Sequence, residues 1–128
     1  MENPNRYGRP APTRRPVPTF GGFSGTITCS YDELVRCFGK PTYVAKAHER
    51  VKTAMEWKLE DRATGNRFTV YEFKSTTRYS THPSALSLAA LRRLPVFTWN
   101  IGAGRLDPDA LQRWISEKLG REVMIGRP

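Results

Sequence analysis

The sequence predicts an α+β domain: a small, mostly antiparallel sheet around a central β-hairpin, with two or three helices on one face. Apolar and polar side chains alternate in residues 55–60, and residues 68–73 are rich in β-branched and aromatic side chains. Alternation with a period of two is typical of a strand with one buried face. Segments with helix caps and apolar stripes flank this pair, which is typical of helices that pack on a sheet.

The central hairpin begins with a strand in which Met55, Trp57 and Leu59 face one way. Residues 63–66, with the sequence Ala-Thr-Gly-Asn, supply the turn, because Gly and Asn tolerate the positive φ that a chain reversal requires. Residues 68–73 form the returning strand, since β-branched and aromatic side chains favour extended backbone.

The chain before the hairpin predicts a short strand and a helix. The strand is expected at residues 25–28. Ser30 and Glu33 then form a capping box, in which the serine hydroxyl and the glutamate carboxylate each accept a hydrogen bond from the other residue's backbone N–H. An apolar stripe follows in residues 34–38, and Gly39 ends the helix.

The chain after the hairpin predicts a helix, a strand, a second helix and an edge strand. The first helix is expected at residues 84–94, and the strand at 96–101. Asp107 opens the last helix as its N-cap, and Gly120 ends it. Residues 123–125 add the edge strand, so the order of the main elements is β-α-β-β-α-β-α.

The first 22 residues are predicted to form an extended arm rich in proline and arginine, outside the core. Five prolines in the first 20 residues block regular structure, and their alternation favours polyproline II backbone. The predicted organisation is therefore an arm at residues 1–22, one α+β domain at 23–125 and a basic C-terminal end at 126–128.

The composition predicts a basic protein that binds polyanions. Lys and Arg total 21 against 12 acidic residues, a net charge of +9. Such a field attracts nucleic acid first, and anionic membranes or acidic protein surfaces second. No apolar run has the roughly 20 residues of a membrane span, and no signal-peptide core is present, so we expect neither membrane insertion nor secretion. The cysteines, Cys29 and Cys37, are too few for a disulfide scaffold or a four-ligand zinc site.

Four short motifs carry a resemblance to a known group of proteins. They are Tyr31-x-x-Leu34-x-x-x-Phe38-Gly39-x-Pro41, Glu56-Trp57, Tyr71-Glu72-x-Lys74 and Trp99-x-Ile101-Gly102. The pattern resembles a mostly uncharacterised family of small α+β proteins encoded by phages and large DNA viruses, over roughly residues 30–119. The resemblance implies a viral source and no particular activity. We therefore expect the protein in the host-cell cytoplasm or nucleus, or in the virion.

One constellation suggests catalysis. Glu72 and Lys74 are two residues apart, so on a strand they share a face. Nucleases of the Asp…Glu-x-Lys type pair a carboxylate and a lysine in this way and take another acid from the preceding strand, here Glu56, Glu60 or Asp61. The carboxylates hold Mg²⁺ and the lysine helps to activate water. An exposed cross-strand ion pair explains the same residues without chemistry, so a Mg²⁺-dependent nuclease stays an alternative.

Non-enzymatic binding of nucleic acid requires fewer coincidences, and it is the function that we predict, with no cofactor. Ten basic residues of the arm and the domain surface are the expected contacts: Arg6, Arg9, Arg14, Arg15, Lys40, Lys46, Arg50, Lys52, Arg92 and Arg93. Tyr7, Tyr43 and Tyr79 lie among them and are candidates to stack on bases.

Two functions of a different class stay open. Small basic domains with Pro/Arg-rich arms serve as minor capsid or cement proteins, whose arm threads between larger subunits. Viral structural proteins would then be the partners. An exposed hairpin edge also offers a strand on which a host protein can dock, as expected for an inhibitor.

Overall fold

The computed structural model describes residues 3–10 and 23–127, which form an α+β fold with an antiparallel sheet, as the sequence predicts. The strands in these ranges are β1 (Tyr7–Gly8), β2 (Phe23–Cys29), β3 (Tyr43–Val44), β4 (Met55–Asp61), β5 (Arg67–Tyr71), β6 (Phe97–Ala103) and β7 (Ile125–Gly126). The helices are α1 (Tyr31–Phe38), α2 (Leu88–Arg93) and α3 (Pro108–Leu119).

The strands lie in the order β1-β4-β5-β6-β2-β7, and β3 also pairs with β4. The predicted hairpin is confirmed: β4 and β5 pair with Glu56 opposite Tyr71 and Leu59 opposite Phe68. Strand β6 fills the gap between the hairpin and β2, and pairs with all seven residues of β2. The sheet is therefore continuous although its strands come from distant parts of the chain.

The core lies on one face of the sheet and contains three buried tryptophans, Trp57, Trp99 and Trp114. The rings of Trp57 and Trp99 meet edge to face, with centroids 5.3 Å apart. Each of these two indoles donates its N–H to a backbone carbonyl, Trp57 to Gly39 at 2.8 Å and Trp99 to Cys29 at 3.0 Å. Burying the large rings therefore leaves neither polar N–H unpaired.

Helix α1 begins with the predicted capping box. Ser30 Oγ accepts from the Glu33 N–H at 3.1 Å, and Glu33 Oε1 accepts from the Ser30 N–H at 3.0 Å. The Arg121 guanidinium also donates to both Glu33 oxygens at 2.6 Å. These hydrogen bonds lower the pKa of Glu33 to about 2. The start of α1 is thus tied to the segment that follows α3.

The N-terminal segment corrects one prediction, because residues 3–10 belong to the folded domain. Strand β1 pairs with the end of β4, and Tyr7 is only 3% exposed. Its ring meets those of Phe68 and Trp114 edge to face, at centroid distances of 5.9 and 5.1 Å. The sequence around Tyr7 lacks the periodicity of a strand or helix, but the burial of its aromatic side chain holds this segment against the core. Residues 11–22 of the predicted arm lie outside the described residues.

Several predicted elements have different bounds, among them the strands expected at 25–28 and 96–101, which span Phe23–Cys29 and Phe97–Ala103. The helix expected at residues 84–94 begins only at Leu88, because Ser87 Oγ caps it by accepting from the Ala90 N–H. The returning strand of the hairpin ends at Tyr71 instead of residue 73. The edge strand expected at residues 123–125 is β7, at Ile125–Gly126, so the sheet extends into the predicted C-terminal end.

Among the described residues no helix is both long enough and apolar enough to cross a membrane.

We expect Tyr7→Ala to lower the free energy of unfolding by about 3 kcal/mol, because it removes an aromatic side chain from a packed core. Urea denaturation followed by tryptophan fluorescence measures the loss. Asn5→Ala, at an exposed neighbouring position, is the control and should change the value by less than about 0.5 kcal/mol. Equal stability of Tyr7→Ala and the wild type would contradict the placement of residues 3–10 in the core.

Candidate nucleic-acid interface

Two loops meet at the end of the sheet where β4 begins and β5 ends. They span residues 45–54 and residues 72–87. The Lys74 N–H donates to the Lys52 carbonyl at 2.6 Å, and the Val51 N–H donates to the Arg78 carbonyl at 3.1 Å. The loops therefore form one surface, which we call the basic end. Its basic side chains are Lys46, Arg50, Lys52, Lys74 and Arg78.

The buried carboxylate of Glu72 joins the same two loops. Its side chain is fully buried, one oxygen accepts from the Ala54 N–H, and the other accepts from the Ser75 N–H at 3.2 Å. Burial raises the pKa of Glu72, and the two backbone hydrogen bonds act in the opposite direction. Because both oxygens are used within the fold, Glu72 is a structural link between the loops.

The predicted pairing of Glu72 and Lys74 on one strand face is wrong. Strand β5 ends at Tyr71, and Lys74 has a φ of 62°, in the left-handed region. The alternation of faces along a strand does not apply there. The carboxylate of Glu72 points into the protein, whereas Lys74 is exposed.

Two other acids of the nuclease hypothesis, Asp61 and Glu56, are buried or half-buried in the fold. Arg6 donates to both oxygens of Asp61, at 2.9 and 3.0 Å. Burial opposes ionisation of Asp61, but the hydrogen bonds from Arg6 and from the Ala63 N–H outweigh it and lower the pKa. Glu56 is half-buried near the start of β4, opposite Tyr71, and burial raises its pKa. Across residues 3–10 and 23–127, no group of three His, Cys, Asp or Glu side chains could hold a metal ion.

Exposed aromatic rings surround the ammonium group of Lys74. Its Nζ lies 5.1 Å from the ring centroid of Phe73 and 5.6 Å from that of Tyr79. Phe73 is 45% exposed and Tyr79 is 36% exposed. Tyr71, at the end of β5, meets the Phe73 ring edge to face at 6.4 Å. A cation and three aromatic side chains therefore lie together at the basic end.

Three predicted contacts, Lys46, Arg50 and Lys52, lie on this surface and are exposed. Arg50 Nη2 also donates to the Tyr79 carbonyl at 3.2 Å, which fixes Tyr79, the one predicted stacking residue found here. The ten contacts predicted from the sequence do not include Arg78 or Lys74. Lys74 is predicted only as a residue of the nuclease hypothesis. The only sequence signal for Arg78 is the adjacent basic and aromatic pair that it forms with Tyr79.

Other predicted contacts lie elsewhere. Arg6 is committed to Asp61, and Arg9 donates to the Lys40 carbonyl at 3.0 Å. Arg62, in turn, donates to the Arg9 carbonyl at 3.2 Å. Arg9, Lys40 and Arg62 therefore form a separate basic cluster beside β1, in which two of the guanidinium groups hold the N-terminal segment in place.

Arg92 and Arg93 line a cleft of about 970 Å³ beside the first turn of α1, whose lining residues include none of the basic end. The guanidinium of Arg92 lies 5.6 Å from the Tyr31 ring centroid. Arg14 and Arg15 lie outside the described residues. The two remaining stacking candidates are engaged within the fold: Tyr7 is buried in the core, and Tyr43 is half-buried, with its hydroxyl donating to Glu49.

The basic end has a strong positive excess. Its two loops contain five Lys or Arg residues and two acids, one of which is the buried Glu72. The other is Glu49, which accepts from the Lys46 N–H at 2.7 Å and from the Tyr43 hydroxyl at 3.0 Å. These hydrogen bonds lower the pKa of Glu49. In the part of the chain that the structure describes, neither acid forms an ion pair with a cation of the basic end, and four of the cations, Lys46, Arg50, Lys52 and Lys74, are exposed to an anionic ligand, whereas Arg78 is half-buried.

No model of a known protein family and no curated protein matches the chain. The resemblance of the four motifs to small viral proteins therefore stays a prediction.

We expect Glu72→Ala to lower the free energy of unfolding by about 2–4 kcal/mol, because the buried Ala54 N–H and the half-buried Ser75 N–H lose their acceptor. Chemical denaturation measures the change. Glu122→Ala, at an exposed position, is the control and should be nearly neutral. Unchanged stability of Glu72→Ala would contradict the structural role of this carboxylate.

The raised pKa of Glu72 predicts a pH dependence with a defined sign. Because the pKa of Glu72 is raised in the folded protein, the unfolded chain releases the Glu72 proton at a lower pH than the folded protein does. The stability of the wild type relative to Glu72→Gln should therefore be greatest below pH 4.5 and decline as the pH rises. A relative stability that increases over this range would contradict the assignment. Denaturation of both proteins between pH 4 and pH 8 measures it.

Proposed function

We propose that this protein binds nucleic acid at the basic end and does not act as an enzyme. The observation that supports the proposal is the convergence of five basic side chains and two exposed aromatic rings on two loops that are distant in sequence. Lysine and arginine side chains neutralise backbone phosphates and release their counterions, which supplies most of the affinity of such interfaces. Aromatic rings among them add contacts with bases.

The basic end is organised before any ligand binds. The Lys52–Lys74 and Val51–Arg78 backbone hydrogen bonds and the Glu72 carboxylate hold the two loops together. A surface held in its binding conformation loses less conformational entropy on association. This supports the proposal that affinity comes from one dedicated binding surface and not from the overall positive charge of the protein.

The motif resemblance supports a viral accessory role inside the host cell as part of this proposal. Capsid association stays the second candidate from the sequence. This candidate makes a different prediction from the nucleic-acid proposal. A minor capsid or cement protein is present in purified particles in a fixed ratio to the major capsid protein.

We expect Lys52→Gln to weaken binding of a labelled oligonucleotide and to make the slope of log K against log salt shallower by about 0.7–0.9, the contribution of one phosphate contact. Arg105→Gln removes the same charge near the β4–β5 turn, at the opposite end of the sheet. It should leave the slope unchanged. Fluorescence anisotropy across a salt series measures both.

Equal effects of these two substitutions would mean that overall charge, and not the basic end, drives binding. No binding by the wild type at low salt would overturn the proposal and favour a protein partner.

Lys74 allows stability and binding to be separated. It is the only described residue other than glycine with a positive φ, a conformation that costs an L-residue about 1 kcal/mol. We expect Lys74→Gly to leave the free energy of unfolding unchanged or to raise it by up to about 1 kcal/mol, because glycine adopts this backbone without strain. Binding should still weaken, because the charge is lost. Denaturation and anisotropy on the same samples measure the two effects.

Lys74→Arg is the matched control for this substitution, because it keeps the charge and the strained backbone. Its affinity should stay close to that of the wild type. A Lys74→Gly protein that binds as tightly as the wild type would exclude Lys74 from the interface.

A further inference from the structure

We infer that the basic end binds single-stranded nucleic acid, with bases stacked on Phe73 and Tyr79. This inference rests on the proposed function and names its ligand class. Four large apolar side chains are exposed in the described part of the chain: Phe73, Tyr79, Val96 and Met124. The two aromatic ones both lie at the basic end, on either side of one lysine.

Lys74 places a positive charge beside the two aromatic rings on which bases would stack. Its ammonium group is within 6 Å of both ring centroids. A backbone phosphate that pairs with Lys74 therefore brings its neighbouring bases next to Phe73 and Tyr79. Stacking on an aromatic ring requires a free base face, which a single strand offers with any sequence. In a duplex the faces are covered by neighbouring bases, and exposing one costs a few kcal/mol.

The shape of the basic end also disfavours a duplex. The major groove of DNA admits an α-helix or a two-stranded ribbon. The basic end consists instead of two loops. Phe73 and Tyr79 both lie on the second of these loops, which is hydrogen-bonded to the first, and such a surface suits a flexible strand that lies over it.

Polar groups continue the surface from Phe73 onto the sheet. Tyr71 contacts the Phe73 ring and lies opposite Asn100 of β6, which in turn lies opposite Thr26 of β2. These three side chains form a row on the sheet face that points away from the tryptophan core, and all three are half-exposed. They provide a further ring and hydrogen-bonding groups for the edges of unpaired bases, as in sheet surfaces that bind single strands.

The test compares a single-stranded oligonucleotide with the duplex of the same sequence, at equal salt concentration. We expect the wild type to bind the single strand at least about tenfold more tightly. Phe73→Leu keeps an apolar side chain but removes the ring, and should weaken single-strand binding about 5- to 150-fold, the contribution of one stacked base. Its duplex binding and salt slope should be unchanged. Phe73→Trp should retain single-strand binding.

Met124→Ala, which shortens an exposed apolar side chain outside the basic end, is the control and should bind like the wild type. Duplex binding as tight as single-strand binding, or a Phe73→Leu protein that binds the single strand normally, would overturn this inference and leave the proposed function intact. Failure of the wild type to bind either probe would remove both.

Discussion

The organisation of the basic end depends on the buried carboxylate of Glu72. A polar carboxyl group without water is costly to bury, and here two backbone N–H groups replace the water. These groups belong to Ala54 and Ser75, one in each loop, so this side chain adds to the hairpin pairing and to the backbone hydrogen bonds that hold the two loops together. The cations of both loops then lie on one surface.

Positive charge in this protein serves two purposes that composition does not distinguish. Arg6 and Arg121 form bidentate ion pairs with Asp61 and Glu33, and Arg9 donates to a backbone carbonyl. These side chains fasten the N-terminal and C-terminal segments to the domain. Within the described residues the cations of the basic end form no ion pairs with acids, and they are the part of the net charge of +9 on which the proposed binding rests.

Strain and stability are also unevenly distributed. The core places aromatic rings in edge-to-face contact and pairs the indole N–H groups of Trp57 and Trp99 with backbone carbonyls. At the basic end, by contrast, Lys74 keeps a left-handed backbone and two aromatic rings remain exposed. Strained backbone and exposed apolar area are typical of functional surfaces that the rest of the fold stabilises.

The sequence by itself determined the elements whose causes are local: the β4–β5 hairpin, the capping box of α1 and the Asp107 cap of α3. In each of these elements, the residues that interact lie close together in the sequence. Only the tertiary structure decided the roles of Tyr7 and Glu72. Tyr7 packs on residues 61 and 107 positions later in the chain, and Glu72 accepts from an N–H 18 positions earlier. Hydrogen bonding and ring packing act at contact distance, so these roles exist only after the chain has brought distant residues together.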